Sequence, residues 1–439
     1  MAELIYDENG RLMFTEEMRE EYTILAPLML PIHFNFIERI FRNAGYKMEV
    51  LHTTGQSIVT QGLQSVHNDT CYPALLVIGQ MMDALESGKY DMNKVALMIT
   101  QTGGGCRASN YIHLLRKALK KRGLEHIPVI SFNLAGMEKN PGFKFTPKII
   151  LKLLGAIVYG DLLMALANQT RPYEIVSGDT DRLVEEWTDE LMKRNLSIRH
   201  ISRTLEEITK SFTEIKVNRV PKVKVGIVGE IYIKYAPLGN NNLEEFLATQ
   251  DCEVTVPGLL DFVIFMGDHH LVDTKKYKIK HRKALVSGGL KVVMAMFQKK
   301  LIKAIKKFPE FRAPADFETI KSLTKGYLSD GNKMGEGWLL TGEMLELIHS
   351  GVDNIICTQP FGCLPNHIVG KGMVRAIRKK HPESNIVAID YDPGATKANQ
   401  ENRIKLMLSI ARENLEKKVD AEKANLTTEK QKEKEIATV

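Results

Sequence analysis

Cysteine is scarce in this chain, and its spacing argues against several common uses of the residue. Only five cysteines occur among 439 residues, and no two of them form a C-x-x-C pair. A sparse, odd-numbered set is unlike the disulfide framework of a small secreted protein. The missing C-x-x-C pair disfavours a zinc ribbon, a thioredoxin-like site and a ferredoxin-type cluster loop. Reduced thiols or metal ligands are therefore the expected state of these residues.

Long apolar runs are also missing from the sequence. No stretch reaches about 18 uncharged apolar residues, the length that a membrane-spanning helix needs. The best candidate, Ile149–Ala167, contains Lys152 and Asp161 and is predicted to be a buried helix. The first residues, MAELIYDENGRLMF, carry early acidic side chains and no apolar core segment, unlike a secretory signal. We therefore expect a cytoplasmic protein that binds no membrane.

The overall composition is that of an ordinary soluble globular protein. Hydrophobic residues make up 44% and charged residues 26%, and the net charge of +7 is too small to indicate a nucleic-acid partner. The densest basic run, Lys275–Lys283, is expected to be a solvated loop and helix start, with a site for phosphates or an acidic partner as the alternative. No G-x-x-x-x-G-K-[ST] motif is present, so the chain is not expected to be a P-loop ATPase.

Alternating strand and helix patterns predict an α/β protein. Strand-like runs at 22–30, 48–52, 95–100 and 127–132 are separated by helical runs, which favours a parallel sheet. A second unit of the same kind starts near Pro221. We expect two flavodoxin-like parallel-sheet domains with a helical insertion and a C-terminal helix. The expected boundaries are 1–145 for the first domain, 146–220 for the helical segment, 221–415 for the second domain and 416–439 for a charged tail.

Three of the cysteines occupy the same kind of position. Cys71, Cys106 and Cys363 each precede a predicted helix, and the last two follow a predicted strand and a glycine. In doubly wound sheets the loops at the carboxyl ends of the strands form the ligand crevice, and helix N-termini there stabilise thiolates. The topology could therefore bring the three cysteines into one crevice. The alternative is that each is a small buried apolar residue.

The two remaining cysteines have weaker signals. Cys252 lies outside such a loop and is predicted to be a core residue. Cys357 ends an apolar strand, and its two interpretations are core packing and contact with a bound cluster. Asp390 and Asp392, in IDYDPG, are expected to cap the end of a strand.

Several polar and glycine residues surround the three cysteine loops. Gly103–Ala108 fits G-x-G-x-x-A, but the following strand does not end at an acidic residue, so a dinucleotide turn is disfavoured. Gly104 and Gly105 are instead expected to let the backbone approach a bulky group bound at Cys106. The other candidate contacts to sulfur or substrate, with plain loop hydrogen bonding as the alternative, are His67, Asn68 and Gln359.

A second polar group, Asp268, His269 and His270, follows an apolar run. Its carboxylate spacing matches no metal motif, so a loop is the prediction and a metal site the alternative. The sequence also contains no G-x-S-x-G and no H-E-x-x-H motif, which argues against two common classes of hydrolase.

At five segments the sequence resembles a known family. NDTCYPA, TGGGCRASNY, VGIVGEIYI, QPFGCLPNHI and IDYDPGATKANQENRIKLML are similar to signature segments of the 2-hydroxyacyl-CoA dehydratase superfamily. The branch that the segments match best is the acyl-CoA dehydratase activase-related one, which includes relatives of double-cubane cluster proteins. The resemblance extends over about 22–415.

This resemblance implies a cofactor, ligands and a partner. It implies an iron–sulfur cluster between two flavodoxin-like domains, either a 4Fe-4S cluster or a double-cubane cluster shared between subunits. By motif the ligands are Cys71, Cys106 and Cys363. It further implies a separate ATPase activator, with its own iron–sulfur cluster, that supplies low-potential electrons under anaerobic conditions. The substrate would be an acyl-CoA or another small molecule, and the chain would form a homo- or heterodimer.

Three other functions are compatible with the residues. One is a scaffold or regulatory subunit that keeps the fold and binds no cluster. Another is a zinc protein that uses the three cysteines and His67. The least favoured is a nicotinamide-binding enzyme, because the glycine motif lacks the acidic residue that would bind the ribose.

Overall fold

Two parallel sheets organise the chain, one in each half. A computed structural model describes residues 2–101, 104–133, 138–279 and 281–436. The first sheet has the order β2-β1-β3-β4 and pairs in parallel throughout. Its strands are β1 (Thr23–Pro27), β2 (Lys47–Leu51), β3 (Val95–Thr100) and β4 (Val129–Phe132). The α/β class predicted from the alternating pattern is therefore confirmed for this half.

Helices cover the first sheet and connect its strands. They are α1 (Glu16–Glu21), α2 (Pro31–Asn43), α3 (Gln56–Ser65), α4 (Tyr72–Glu86) and α5 (Tyr111–Lys121). Helices α2, α4 and α5 occupy the helical runs predicted between the strands, and a 3-10 turn at Arg107–Asn110 precedes α5. The sequence analysis missed α3, whose segment QSIVTQGLQS is polar and short and therefore has a weak periodic signal.

Three helices follow the first sheet: α6 (Pro147–Thr170), α7 (Asp179–Lys193) and α8 (Ile201–Thr213). By length and composition α6 could cross a membrane, but 61% of its apolar window is buried inside the protein. Tyr159 and Leu162 of α6 are fully buried in a cluster that also contains Phe36 of α2 and Phe265 farther along the chain. The buried helix predicted for 149–167 is therefore confirmed.

The second sheet repeats the strand order of the first. Its order is β6-β5-β7-β8, with parallel pairing throughout. The strands are β5 (Val223–Gly229), β6 (Cys252–Thr255), β7 (Asn354–Pro360) and β8 (Asn385–Tyr391). Short helices follow β5, namely α9 (Ile231–Tyr235), α10 (Pro237–Asn240) and α11 (Leu243–Thr249). One apolar cluster contains side chains of both halves, among them Leu97, Ile112, Ile227 and Leu408.

A long helical excursion separates β6 from β7. It contains α12 (Leu259–Tyr277), α13 (His281–Ile305), α14 (Phe317–Leu323) and α15 (Trp338–His349). On α13 several apolar side chains stay exposed, and Leu285 and Val286 keep 81% and 76% of their surface accessible. The chain ends with α16 (Val374–Lys380) and α17 (Lys397–Ile436), and α17 packs against β8.

Two sequence predictions in this half were wrong in detail. Asp268, His269 and His270 lie inside α12, not in a loop. Asp268 is 2% exposed and binds Lys291 of α13 and Lys321 of α14 at 2.8 and 2.5 Å, so partners far along the chain make a buried charge tolerable. The helix predicted after Cys363 is interrupted by a π turn at 366–370.

The final helix, α17, continues through the charged tail predicted from 416 and reaches Ile436.

Asp161 joins the helical segment to the second half of the chain. It is 5% exposed and lies in the long, strongly apolar helix α6. Its carboxylate accepts the backbone N–H groups of Leu259 and Leu260, both at 2.8 Å, at the first turn of α12. The Nε2 atom of His33 lies 2.9 Å from its Oδ1 atom. The one acidic residue of the apolar run therefore caps another helix.

We expect Asp161→Ala to lower the free energy of unfolding by about 3 kcal/mol or more, because it leaves buried donors without an acceptor. Urea unfolding followed by circular dichroism measures this loss. Asp181→Ala is the control, because Asp181 forms an exposed pair with Arg171 at 2.7 Å and should cost at most about 1 kcal/mol. Equal losses in the two variants would contradict the capping role.

His269 makes the stability depend on pH. Burial lowers the pKa of His269 from 6.5 to about 4, and Lys333 adds to the effect. The unfolded chain therefore binds a proton at a higher pH than the folded chain. Protonation of His269 therefore leaves the free energy of unfolding unchanged above pH 6.5. As the pH falls from 6.5 toward 4, it lowers that free energy by about 3 kcal/mol. His269→Phe should flatten this part of the stability curve, whereas the exposed-site control His67→Gln should not. Identical curves for wild type and His269→Phe would sink the assignment.

Candidate functional site

The three predicted cysteines all lie at helix starts. Cys71 is the N-cap of α4, and Cys106 is the N-cap of the 3-10 turn before α5. Cys363 directly precedes the helical turn that begins at 364. A backbone N–H near each start interacts with the thiol and favours its thiolate form: those of Ala74, Ala108 and Asn366. The N–H groups at the helix starts therefore favour the thiolate at each cysteine, whereas burial opposes it more strongly.

The loops at Cys71 and Cys363 are in direct contact, although one belongs to each half. The backbone N–H of Tyr72 donates to the carbonyl oxygen of Phe361 at 3.0 Å. A Cβ atom added to Gly362 would lie 3.0 Å from the Cα atom of Cys71, and the φ of Gly362 is +72°. Both the close approach and the left-handed backbone require glycine at this position.

Two further contacts place the Cys106 loop beside the Cys71 loop and beside the second half of the chain. The hydroxyl of Tyr111, at the start of α5, lies 3.0 Å from the sulfur of Cys71. A Cβ atom on Gly105 would lie 2.5 Å from the sulfur of Met334, in the loop before α15. The loops that carry the three cysteines thus converge at the carboxyl ends of strands in both sheets. We call this region the thiol crevice, defined by Cys71, Cys106 and Cys363.

Two acidic residues lie beside the thiol crevice, and the sequence analysis did not select them. Glu230 follows β5 and accepts the backbone N–H of Ile233 at 3.0 Å. Glu336 is 6% exposed and accepts the backbone N–H of Ile231 at 3.0 Å. Burial raises the pKa of both carboxyls, and the negative charge of Glu336 adds to the rise at Glu230. Either carboxyl can therefore hold a proton at a pH where an exposed glutamate would be ionised.

Burial also keeps the thiols protonated. It raises the pKa of Cys106 to about 11, and Glu336 and Glu230 add to this rise. Burial raises the pKa of Cys71 and of Cys363 as well, and Cys363 experiences the charges of Glu336, Glu230 and Cys106. These mutual effects require the thiols and carboxyls to be near neighbours. Occupation of the crevice by a cation would therefore release protons.

The smaller candidates are placed as follows. Gly105 packs on Met334, whereas Gly104 faces open space, so a bulky group could approach it. Gln359 lies near the end of β7 and is 1% exposed. Its Oε1 atom has no hydrogen-bond partner among the described residues, which leaves a buried acceptor unsatisfied. Gly103, part of the same glycine motif, falls outside the described residues.

His67 and Asn68 are not joined to the thiols. Both side chains are exposed, and the His67 ring pairs with Asp69 at 3.5 Å. No hydrogen bond links either of them to a cysteine in the described part of the chain. Their predicted contact with sulfur or substrate stays a prediction.

The other two cysteines lie in apolar surroundings. Cys252 is 1% exposed and belongs to the core shared by both halves, as the sequence predicted. Cys357 is fully buried in a separate cluster, and its sulfur lies 3.7 Å from the Oδ1 atom of Asn366. Its core-packing interpretation is therefore favoured. Asp392 accepts the backbone N–H of Gly394 at 2.7 Å, in agreement with the predicted cap, whereas Asp390 binds Lys371 at 3.0 Å.

The three thiols of the thiol crevice lie on separate loops, each at a helix start. No three His, Cys, Asp or Glu side chains in the described ranges are grouped closely enough to hold one metal ion. The open space at Gly104 is on the loop that carries Cys106.

In comparisons with known proteins, no family model and no curated protein matches the chain.

The pKa of Cys106 gives a direct test of the electrostatics of the thiol crevice. Cys106 is half-buried, so small alkylating reagents can reach it. In the metal-free protein its alkylation by iodoacetamide should speed up about tenfold per pH unit without levelling near pH 9, because the thiolate is the nucleophile. At a pH at which the Glu336 carboxyl is ionised, Glu336→Gln should accelerate the reaction severalfold by removing a negative charge. Mass spectrometry of the Cys106 peptide measures both rates.

Glu346→Gln is the matched control, because Glu346 is a buried glutamate on α15 whose charge does not act on the thiols. It should leave the rate unchanged. A plateau near pH 9, or equal effects of the two glutamine variants, would refute the arrangement.

Proposed function

We propose that this chain is the iron–sulfur component of a redox enzyme, resembling 2-hydroxyacyl-CoA dehydratases and double-cubane reductases. Cys71, Cys106 and Cys363 would hold the cluster, either a 4Fe-4S cluster or a double-cubane cluster shared between subunits. The component would receive low-potential electrons from a separate ATP-hydrolysing activator and pass them to a small molecule or an acyl-CoA. The proposal also includes two flavodoxin-like domains, which the strand order 2-1-3-4 in both sheets supports.

The observation that carries the proposal is the convergence of the three cysteine loops. Two loops come from the first half and one from the second, and they touch through Gly362 and Cys71. Core packing alone would not need three thiols from separate loops of two sheets at one place, because any small apolar residue could fill that space. All three thiols also keep a backbone N–H nearby, as cluster sulfurs and their ligands require.

The residues around the thiol crevice suggest how the chain would support the reaction. A bound cluster supplies one-electron transfer and, with three protein ligands, an iron position open to substrate. The Tyr111 hydroxyl can donate to the sulfur of Cys71 and so adjust the electron density on that ligand. Burial raises the pKa of Glu230 to about 8, and it also raises the pKa of Glu336. They are therefore the best candidates to deliver or accept a proton beside the reacting substrate.

The proposed partners and location follow from the same assignment. We propose a cytoplasmic protein that works under anaerobic conditions with an activator protein and as a homo- or heterodimer, without a nucleic acid or membrane partner. The apolar residues that stay exposed along α13, such as Leu285 and Val292, support the expectation of a further protein surface. The sequence motif for ATP binding by a P-loop is missing, which supports an ATPase supplied by another chain.

Anaerobic reconstitution with iron and sulfide tests the proposal. Wild type should bind about four iron and four sulfide per cubane and give an electron paramagnetic resonance signal after reduction. Cys71→Ala, Cys106→Ala and Cys363→Ala should each lose most of the bound iron, because each removes one of only three thiolate ligands. Metal analysis and the spectrum measure the loss.

Cys252→Ala is the matched control, since Cys252 is an equally buried cysteine of the core, and it should retain the full iron content. Fewer than about one iron per wild-type chain would contradict the proposal. Zinc in place of iron would favour the zinc protein instead, and no metal at all would favour the scaffold.

A further inference from the structure

A polar cavity of about 490 Å³ lies between the two halves, and none of the three thiols lines it. Its walls come from the loop after β2, the first residue of α4, the loop before α11 and the loop between β8 and α17. The volume is in the range of small-molecule sites. The residues that matter for its chemistry are Thr54, Gly55, Gln56, Tyr72, Asp392 and Lys397.

The N-terminus of α3 opens into this cavity. Gly55 is the N-cap of this ten-residue helix, and no side chain caps the helix. A Cβ atom on Gly55 would have nothing within 4 Å, so the space in front of the helix start is open. Uncapped N–H groups and the positive end of the helix dipole favour an anion, as in phosphate-binding loops.

Tyr72 is an independent sign of a ligand. The residue is only 8% exposed, and it lines the cavity. Its hydroxyl forms no hydrogen bond with the residues that the structure describes, and it is not one of their enclosed side-chain atoms, so a ligand in the cavity can reach it. A phenol hydroxyl is a hydrogen-bond donor at neutral pH.

Two charged residues between β8 and α17 also line the cavity, and they restrict the chemistry of the ligand. Lys397, at the start of α17, has a side chain that is 59% exposed and makes only a long contact with Glu401, at 3.7 Å. It can therefore turn toward an anion in the cavity. Asp392 brings a carboxylate to the same wall, which would repel a bare anion but accept a hydrogen bond from a hydroxyl group.

We propose that this cavity binds a hydroxyl-bearing phosphate ester, with the phosphate at the N-terminus of α3, Tyr72 and Lys397 and a hydroxyl at Asp392. The shared chemistry is that of sugar phosphates and nucleotides. Because the walls belong to both halves and Tyr72 directly follows Cys71, the ligand would bridge the halves beside the thiol crevice. This site needs no cluster and goes beyond the proposed function.

Isothermal titration of the full chain with ribose 5-phosphate, ADP and inorganic phosphate tests the site. We expect saturable binding of at least one ester, and weaker binding of inorganic phosphate, which cannot donate a ribose hydroxyl to Asp392. Tighter binding of ribose 5-phosphate would identify the ligand class as sugar phosphates, and tighter binding of ADP would identify it as nucleotides. Tyr72→Phe and Lys397→Gln should each weaken ester binding about tenfold, the effect of one lost hydrogen bond to a charged group.

Tyr327→Phe is the control, because it removes a tyrosine hydroxyl that likewise forms no hydrogen bond in the described chain and that lies outside the cavity. It should leave binding unchanged, and circular dichroism should show all three variants folded. Cys106→Ser should bind normally, which separates this site from the proposed cluster. Lack of saturable ester binding, tighter binding of inorganic phosphate than of either ester, or equal affinities for wild type, Tyr72→Phe and Lys397→Gln would overturn the proposal.

Discussion

The contact between the Cys71 and Cys363 loops is the constraint on which the rest of the site depends. Each loop belongs to a different sheet, and the backbone of Gly362 approaches Cys71 so closely that a larger residue would not fit. The hydrogen bond from Tyr72 N–H to the carbonyl of Phe361 fixes the same approach. With these two loops joined, the Tyr111 hydroxyl can reach the sulfur of Cys71 and bring the Cys106 loop alongside. The thiol crevice is therefore a product of how the halves pack rather than of any single loop.

This packing also makes ionisation of the buried thiols and carboxyls unfavourable. Three thiols and the carboxyls of Glu230 and Glu336 share a poorly solvated region, and burial raises the pKa of each group. Burial disfavours ionisation of each group, because a charge without a counter-charge is expensive in a poorly solvated region. A cationic cofactor would supply the missing counter-charge and convert the thiols to thiolates. One physical cause, burial, therefore raises the pKa of both the thiols and the carboxyls.

Local patterns predicted most of the fold and the position of the three cysteines at helix starts, but not the two carboxyls beside them. Cys106 and Cys363 were recognisable because a strand, a glycine and a helix start surround each of them within a few residues. Glu230 had a usable signal, since it directly ends the strand VGIVG, whereas Glu336 had none, because its partner Ile231 lies 105 residues away. Helix α12 was missed for a similar reason: Asp268 resembles a loop residue until Lys291 and Lys321 are placed beside it. Sequence periodicity records local geometry, and such long-range pairs leave no trace in it.

Anomalous scattering at the iron absorption edge, from crystals grown anaerobically after reconstitution, tests the central claim most directly. The account predicts iron density between Cys71, Cys106 and Cys363, with each sulfur at about 2.3 Å from its metal, as thiolate ligands require. The same map would show whether a fourth iron position remains without a protein ligand. Iron density bound elsewhere, or an iron-loaded protein with an empty thiol crevice, would contradict the account.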